Sequence, residues 1–281
     1  MKRKIVIAIF LLITTAPLLF GFGYSLLYSF GLTGILSKGF TLEHWQMLFT
    51  ESDGINSLFY TIFLTIISLI LILLPALVLA WWQTNSAQIK WLKAMLFLPL
   101  CFPPLVAAFA MYHLLSPTGI YSRVFYQLGL IEQLEDFPRL VNDFASIGIL
   151  AAHVFMVFPL FTLLFINQVK KERLDELMAT SLTLGASGFY FFRKVFAPVI
   201  LMRSSPLIML YGIFLMGTYE VPLLLGRSSP RVVTIFITEK IKGFSLQDIP
   251  QGHAMAVVYT LLVIAITTFF LSINRKTISG S

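Results

Sequence analysis

Glu220 is the sharpest chemical feature of this 281-residue sequence. It stands in an otherwise apolar context, Gly217-Thr218-Tyr219-Glu220-Val221-Pro222. A carboxylate in or near a membrane is costly, so it faces a cavity, a partner or the interface. Two roles fit. With Tyr219 it lines a translocation path and meets a cation, or it caps a broken helix and pairs with Arg227 or Arg231. Other chemistry is sparse. The four histidines, His44, His113, His153 and His253, fall in different segments without metal-ligand spacing. No Gly-x-x-x-x-Gly-Lys-Ser/Thr loop occurs, so no phosphate-binding loop is present. No Gly-x-Ser-x-Gly elbow accompanies the serines. The single cysteine, Cys101, allows no intrachain disulfide. The chain is expected to be no enzyme, with no cofactor or metal of its own.

A second feature is a stretch rather than a residue. Residues 174–200 form the longest charged and polar interruption between two strongly apolar runs on the predicted cytoplasmic side. A patterned helical part leads into Leu184-Gly185-Ala186-Ser187, then aromatic residues with Arg193-Lys194, then Pro198. This order predicts a short helix, a sharp turn and a second helix. Gly185 suits the turn, because only glycine adopts left-handed backbone without cost. Leu182, Leu184 and Phe189 are candidate apolar contacts for a soluble partner.

The elements that position these features follow from composition. The chain is 58% hydrophobic and 12% charged, with 27 phenylalanines. Soluble domains carry about 25% charged residues, so the class is a polytopic all-α membrane protein embedded in a lipid bilayer. Six spans are expected: about 5–30, within 56–82, within 94–115, about 144–166, 199–224 and 254–273. The first is read as an uncleaved span rather than a secretory signal, because its apolar region is too long. The net charge of +7 reflects orientation rather than nucleic acid, since the basic residues sit at the ends of the apolar runs. Lys2, Arg3, Lys4, Lys90, Lys93, Lys170, Lys171, Arg173, Arg193, Lys194, Arg275 and Lys276 fall on one side. Lys38, Arg123, Arg139, Arg227, Arg231, Lys240 and Lys242 fall on the other, with most of the acidic residues. The excess places both termini in the cytoplasm. Arg203, just inside the fifth span, is expected to snorkel to the inner interface. Outer segments 31–55 and 116–143 read as loops with short helices, and 227–251 as a re-entrant or interfacial segment. Eight prolines inside or beside the spans suggest broken helices lining a pathway. No repeat is visible, and the chain reads as one domain.

Residues 174–200 resemble the cytoplasmic loop of binding-protein-dependent ABC importer permeases. That loop runs Glu-Ala-Ala-x-x-x-Gly, an apolar stretch, then Leu-Pro. Here Ala179-Thr180-Ser181-Leu182-Thr183-Leu184-Gly185 matches the spacing, followed by Ala186-Ser187, Phe192-Arg193-Lys194-Val195 and Ala197-Pro198. The family's glutamate position is Ala179, and Glu176 lies one turn upstream on the same face. Asn56-Ser57-Leu58, Leu98-Pro99-Leu100 and Tyr219-to-Gly226 extend the likeness, the last towards the spermidine/putrescine and ferric-iron uptake group. The resemblance implies a type I ABC importer permease bundle in a bacterial inner membrane. Residues 170–198 would be its coupling loop, contacting ATP-binding cassette ATPase subunits that use ATP and Mg. Its other partners would be a second permease, identical or paralogous, and an extracytoplasmic solute-binding protein. The implied solute is small, a polyamine being one candidate. An ATP-independent transporter or channel is the alternative, and a membrane-embedded enzyme or assembly factor a third reading.

Overall fold

A backbone surrounded by hydrocarbon must satisfy its N–H and C=O groups within its own segment, so charge-free runs become helices. The computed structural model describes residues 2–35, 37, 39–85 and 90–279. Every regular element among them is helical. In chain order these are α1 (Lys2–Ser29), α2 (Glu43–Thr50), α3 (Ser52–Asn85), α4 (Lys90–Leu100), α5 (Pro104–Leu115), α6 (Ile120–Gln127) and α7 (Ile147–Lys171). Then come α8 (Leu174–Thr183), α9 (Gly188–Phe191), α10 (Ala197–Met216), α11 (Glu220–Leu225), α12 (Val233–Lys242) and α13 (Ile249–Ser279). A 3-10 turn covers Leu134–Asp136, and a π-helical turn, Phe192–Phe196, joins α9 to α10. Lys38, assigned above to an outer segment, lies outside the described residues.

Among the described residues, five helical stretches are long and apolar enough to cross a membrane: Lys4–Ser29, Ser52–Gln83, Ile147–Lys171, Gly188–Met216 and Ile249–Ser272. The expected third span is not a single rod. Ala94–Leu100 and Pro104–Gln127 are bent by 104° at the break between them, and count as a sixth span only if taken together. The cause is the pair Pro103-Pro104. Neither residue has a backbone donor, and Pro103 is extended at φ −60° and ψ 152°. The expected fifth span is displaced from 199–224, beginning at Gly188 and stopping short of 224. It ends at Met216, where the Gly217 N–H still donates to the Ile213 carbonyl at 3.0 Å. The chain resumes as α11 only at Glu220.

The chain divides into two compact units. In Met1–Tyr60 with Pro230–Ser281, α13 packs against α1, α2 and α12. Leu48, Val233, Phe236, Ala254 and Met255 form its core. The apolar part of 227–251 is therefore a helix, α12, laid on α13. Its polar edge is tied by Lys240 to Glu51 and Asp248, and by Arg231 to Glu239 and Asp53. In Thr61–Ser229, α7 contacts α4, α5, α8, α10 and α11. Ile72, Phe161, Phe165, Phe196 and Ile200 are at the centre of its core.

Candidate functional site

The interruption at 174–200 is held at both ends and bare in the middle. Arg173 reverses the chain after α7 in left-handed backbone, φ 52°. Leu174, 2% exposed, then enters the core, and Met178 packs on it one turn later. These two anchor one face of α8. Asp175 and Glu176 sit in its first turn, where negative charge complements the helix dipole.

The turn beyond α8 has a specific hydrogen-bond pattern. Gly185 N–H donates to the Leu182 carbonyl and Ala186 N–H to the Ser181 carbonyl, both at 3.0 Å. This pair is the Schellman closure of a helix, which places its C′ residue in left-handed backbone. Gly185 is that residue, with φ +85°. Nothing lies within 4 Å of where a Cβ would stand, so the constraint is the backbone angle and not space. Ser187 then caps α9, its Oγ accepting from the Tyr190 N–H at 3.2 Å. The short helix, sharp turn and second helix read from the sequence correspond to α8, the turn at Gly185, and α9 with the π-turn that follows it.

What this hairpin offers outward is apolar. Leu184 is 83% exposed, Phe189 74% and Leu182 45%. Leu177 and Tyr190 extend the same kind of surface. The α8 hydroxyls add little to it, because each donates to the helix's own backbone. Thr180 Oγ1 bonds Glu176 O, Ser181 Oγ bonds Met178 O, and Thr183 Oγ1 bonds Thr180 O. Glu176 is exposed and paired with Arg173 at 3.1 Å. An exposed pair of this kind contributes about 0–1 kcal/mol. Full burial of one leucine or phenylalanine contributes about 1.5–3 kcal/mol. Contact with a partner would therefore be dominated by the apolar side chains. Ala179 is exposed and presents only a methyl group where the resembling loops carry a glutamate.

Arg203 does not simply reach for the interface. Its Nε lies 3.3 Å from Oε1 of Glu172, at the corner between α7 and α8. Gln168 donates to the same oxygen at 3.1 Å.

Tyr219 and Glu220 lie at the other end of α10. The helix has 20 residues, which is about 30 Å of rise. The two expected sites are thus separate. Glu220 opens α11 with its side chain exposed, while Val221, Pro222 and Leu225 are buried and hold α11 in place. Among the described residues Glu220 makes no ion pair. The two arginines considered for it are engaged elsewhere. Arg231 pairs with Glu239 and Asp53, and Arg227 stacks 4.4 Å from the centre of the Phe144 ring.

No protein-family model matches the chain, and neither does any curated protein sequence. Solved structures do match. One is a chain of a bacterial ABC transporter involved in the import of the acidic polysaccharide alginate. It aligns with TM-score 0.73 and 15% identity, over 98% of this chain and 94% of that one. Another comes from the bacterial alginate ABC transporter in complex with its alginate pentasaccharide-bound periplasmic protein. It has the same TM-score and identity, over 98% and 93%. The fold is that of an ABC importer permease.

Within this permease fold, sequence reasoning overlooked one polar node. His153, 1% exposed in α7, faces Ser68 of α3 through Nδ1 at 2.9 Å and Thr218 through Nε2 at 3.5 Å. Thr218 Oγ1 donates to the Leu215 carbonyl at 2.9 Å. Ser68 as donor to Nδ1 leaves the ring proton on Nε2, pointing at Thr218. The node joins α3 and α7 to the break that precedes Tyr219 and Glu220. Its only sequence signal was a histidine alone in a charge-free run.

Proposed function

We propose that this chain is a transmembrane subunit of an ABC-type importer. It forms part of the solute pathway and takes its drive from a separate ATPase. The observation that carries the reading is the 174–191 hairpin. One face is anchored by Leu174 and Met178, the turn is closed at Gly185, and Leu182, Leu184 and Phe189 are presented outward. A lone membrane protein has no use for such a surface, whereas a groove on a soluble partner would bury it. The fold shared with chains of an alginate ABC importer supports the same reading. The partners would be two ABC ATPases inside, a second permease beside the chain, and an extracytoplasmic binding protein. The chain would sit in a bacterial inner membrane with both termini cytoplasmic. Closure of the ATPases on ATP and Mg would move the hairpin, and α10, continuous with it, would carry the motion towards the Glu220 end.

A small solute fits this reading. The case for a polyamine rests on the exposed Glu220 carboxylate and the acidic outer residues. The alginate transporter imports an acidic polysaccharide, so this fold does not itself choose the sign of the solute's charge. The test is copurification. The chain, expressed with an ATPase encoded beside it, is expected to bring that ATPase down. A chain that inserts in the membrane and captures none overturns the reading and favours ATP-independent transport.

A further inference from the structure

We propose that Trp81 is a positioning residue, the joint through which movement of the 174–191 hairpin reaches α3 as well as α10. The inference rests on the reading above that the hairpin receives the ATPase.

The hairpin does not run into α10 as a plain α-helix. Phe192–Phe196 is wound as a π-turn. Such turns are rare, and they mark places where a helix carries an extra residue and adjusts its register, often at functional sites. Its two phenylalanines, with Phe191 at the end of α9, pack against a single side chain of another helix. The Trp81 ring lies 4.9 Å from Phe196 and 5.4 Å from Phe192, both edge-to-face, and 6.2 Å from Phe191, stacked. Phe192 and Phe196 stack on each other at 5.6 Å. Phe191 and Phe196 are buried. Gly188, at the head of α9, lies beside the indole: a Cβ there would stand 3.9 Å from Trp81, in ordinary contact.

The α3 face leading to this cluster is Leu69, Ile72, Leu73, Ala76, Leu77, Ala80 and Trp81, spaced three and four apart. Ala76 and Ala80 keep the packing close, and Trp81 is the one bulky ring at its end. Edge-to-face contacts depend on ring direction, so they resist sliding more than aliphatic contacts do. A shift of the π-turn therefore displaces the indole, and with it α3.

The experiment uses the chain assembled with its ATPase in lipid nanodiscs, in a Cys101→Ser background. A fluorophore is placed on α3 through Phe63→Cys. Phe63 is exposed and lies about 27 Å of helix from Trp81. Mg-ATP with vanadate is expected to shift its emission. Trp81→Ala should reduce that shift by about tenfold, with assembly and basal ATP hydrolysis unchanged, and Trp81→Phe should restore part of it. A purely structural role would lower the amount of complex and leave the shift per complex intact. That result, or an undiminished shift in Trp81→Ala, overturns the proposal. If Trp81→Ala does not assemble, Trp81 is read directly with Trp45, Trp82 and Trp91 changed to Phe. Emission that is silent to Mg-ATP and vanadate then overturns the proposal. A wild-type chain that captures no ATPase fails at an earlier step and overturns the functional reading itself.

Discussion

The guanidinium of Arg203 meets the carboxylate of Glu172 at 3.3 Å, which ties α10 to the corner where α7 ends. Glu172 is 22% exposed and Arg203 58%, so water screens the pair. Its contribution is about 0.5–1 kcal/mol. Glu172→Ala is expected to lower the melting temperature of the detergent-purified chain by a few degrees, and added salt should narrow the difference. A variant as stable as the wild type at low salt would remove the pair from the account.

Gly185→Asp is expected to insert in the membrane and to abolish capture of the ATPase and its coupled hydrolysis. Left-handed backbone costs an ordinary residue about 1–2 kcal/mol, and a charge beside Leu184 opposes an apolar groove. Gly185→Ala isolates the backbone cost, because it adds a Cβ in left-handed backbone and no charge. It should retain part of the capture. Wild-type coupling in the aspartate variant would sink the docking turn.

Leu184→Ala and Phe189→Ala should leave folding untouched, since both side chains project away from the rest of the chain. If each is buried on docking, affinity for the ATPase should fall about 10- to 100-fold. Surface-plasmon or pull-down titration of the nanodisc-held chain reads this. An unchanged dissociation constant in both variants would place the contact elsewhere.

His153→Phe should destabilise the chain by about 1–3 kcal/mol, because Ser68 loses its partner in a dry interior. His153→Gln, which can still accept from Ser68, should recover part of the loss. Equal stability of the phenylalanine variant in thermal unfolding would show the node to be dispensable.

Glu220→Gln removes a charge without changing shape, at a position that no described ion pair uses. Assembly with the ATPase is expected to stay intact while delivery of solute from the cognate binding protein slows. Unchanged uptake would take Glu220 out of the pathway.

How far the sequence carried depended on what interrupted it. Gly185 was legible, because a glycine after a patterned helix has one common structural use. Five of the spans were legible from the lack of charge. At Pro103 a break was legible from the prolines but its angle was not, since a proline pair at the edge of an apolar run is compatible with a kink of any size. The end of α10 at Met216 was hidden for a related reason. Leu223, Leu224 and Leu225 continue the apolar run past the break, so hydropathy registers no stop. Inside such runs every face is apolar and periodicity is silent. That is why Trp81 and His153 gave no hint of their neighbours.

Helices α1 and α7 are built from the same apolar alphabet under opposite constraints. In the spanning window of α7, 56% of the residues are buried within the chain, and in that of α1 none are. A methylene added to or taken from α7 meets a close-packed neighbour. Within the spanning window of α1 a leucine exchanged for an isoleucine or a phenylalanine is held mainly by total hydropathy, and only the turns around Tyr24 and Tyr28 pack on α13. Substitutions should therefore accumulate freely along α1 as long as it stays greasy, whereas α7 tolerates change only where shape is kept. One polypeptide thus carries two rates of permissible drift, and a deep mutational scan would sort them helix by helix.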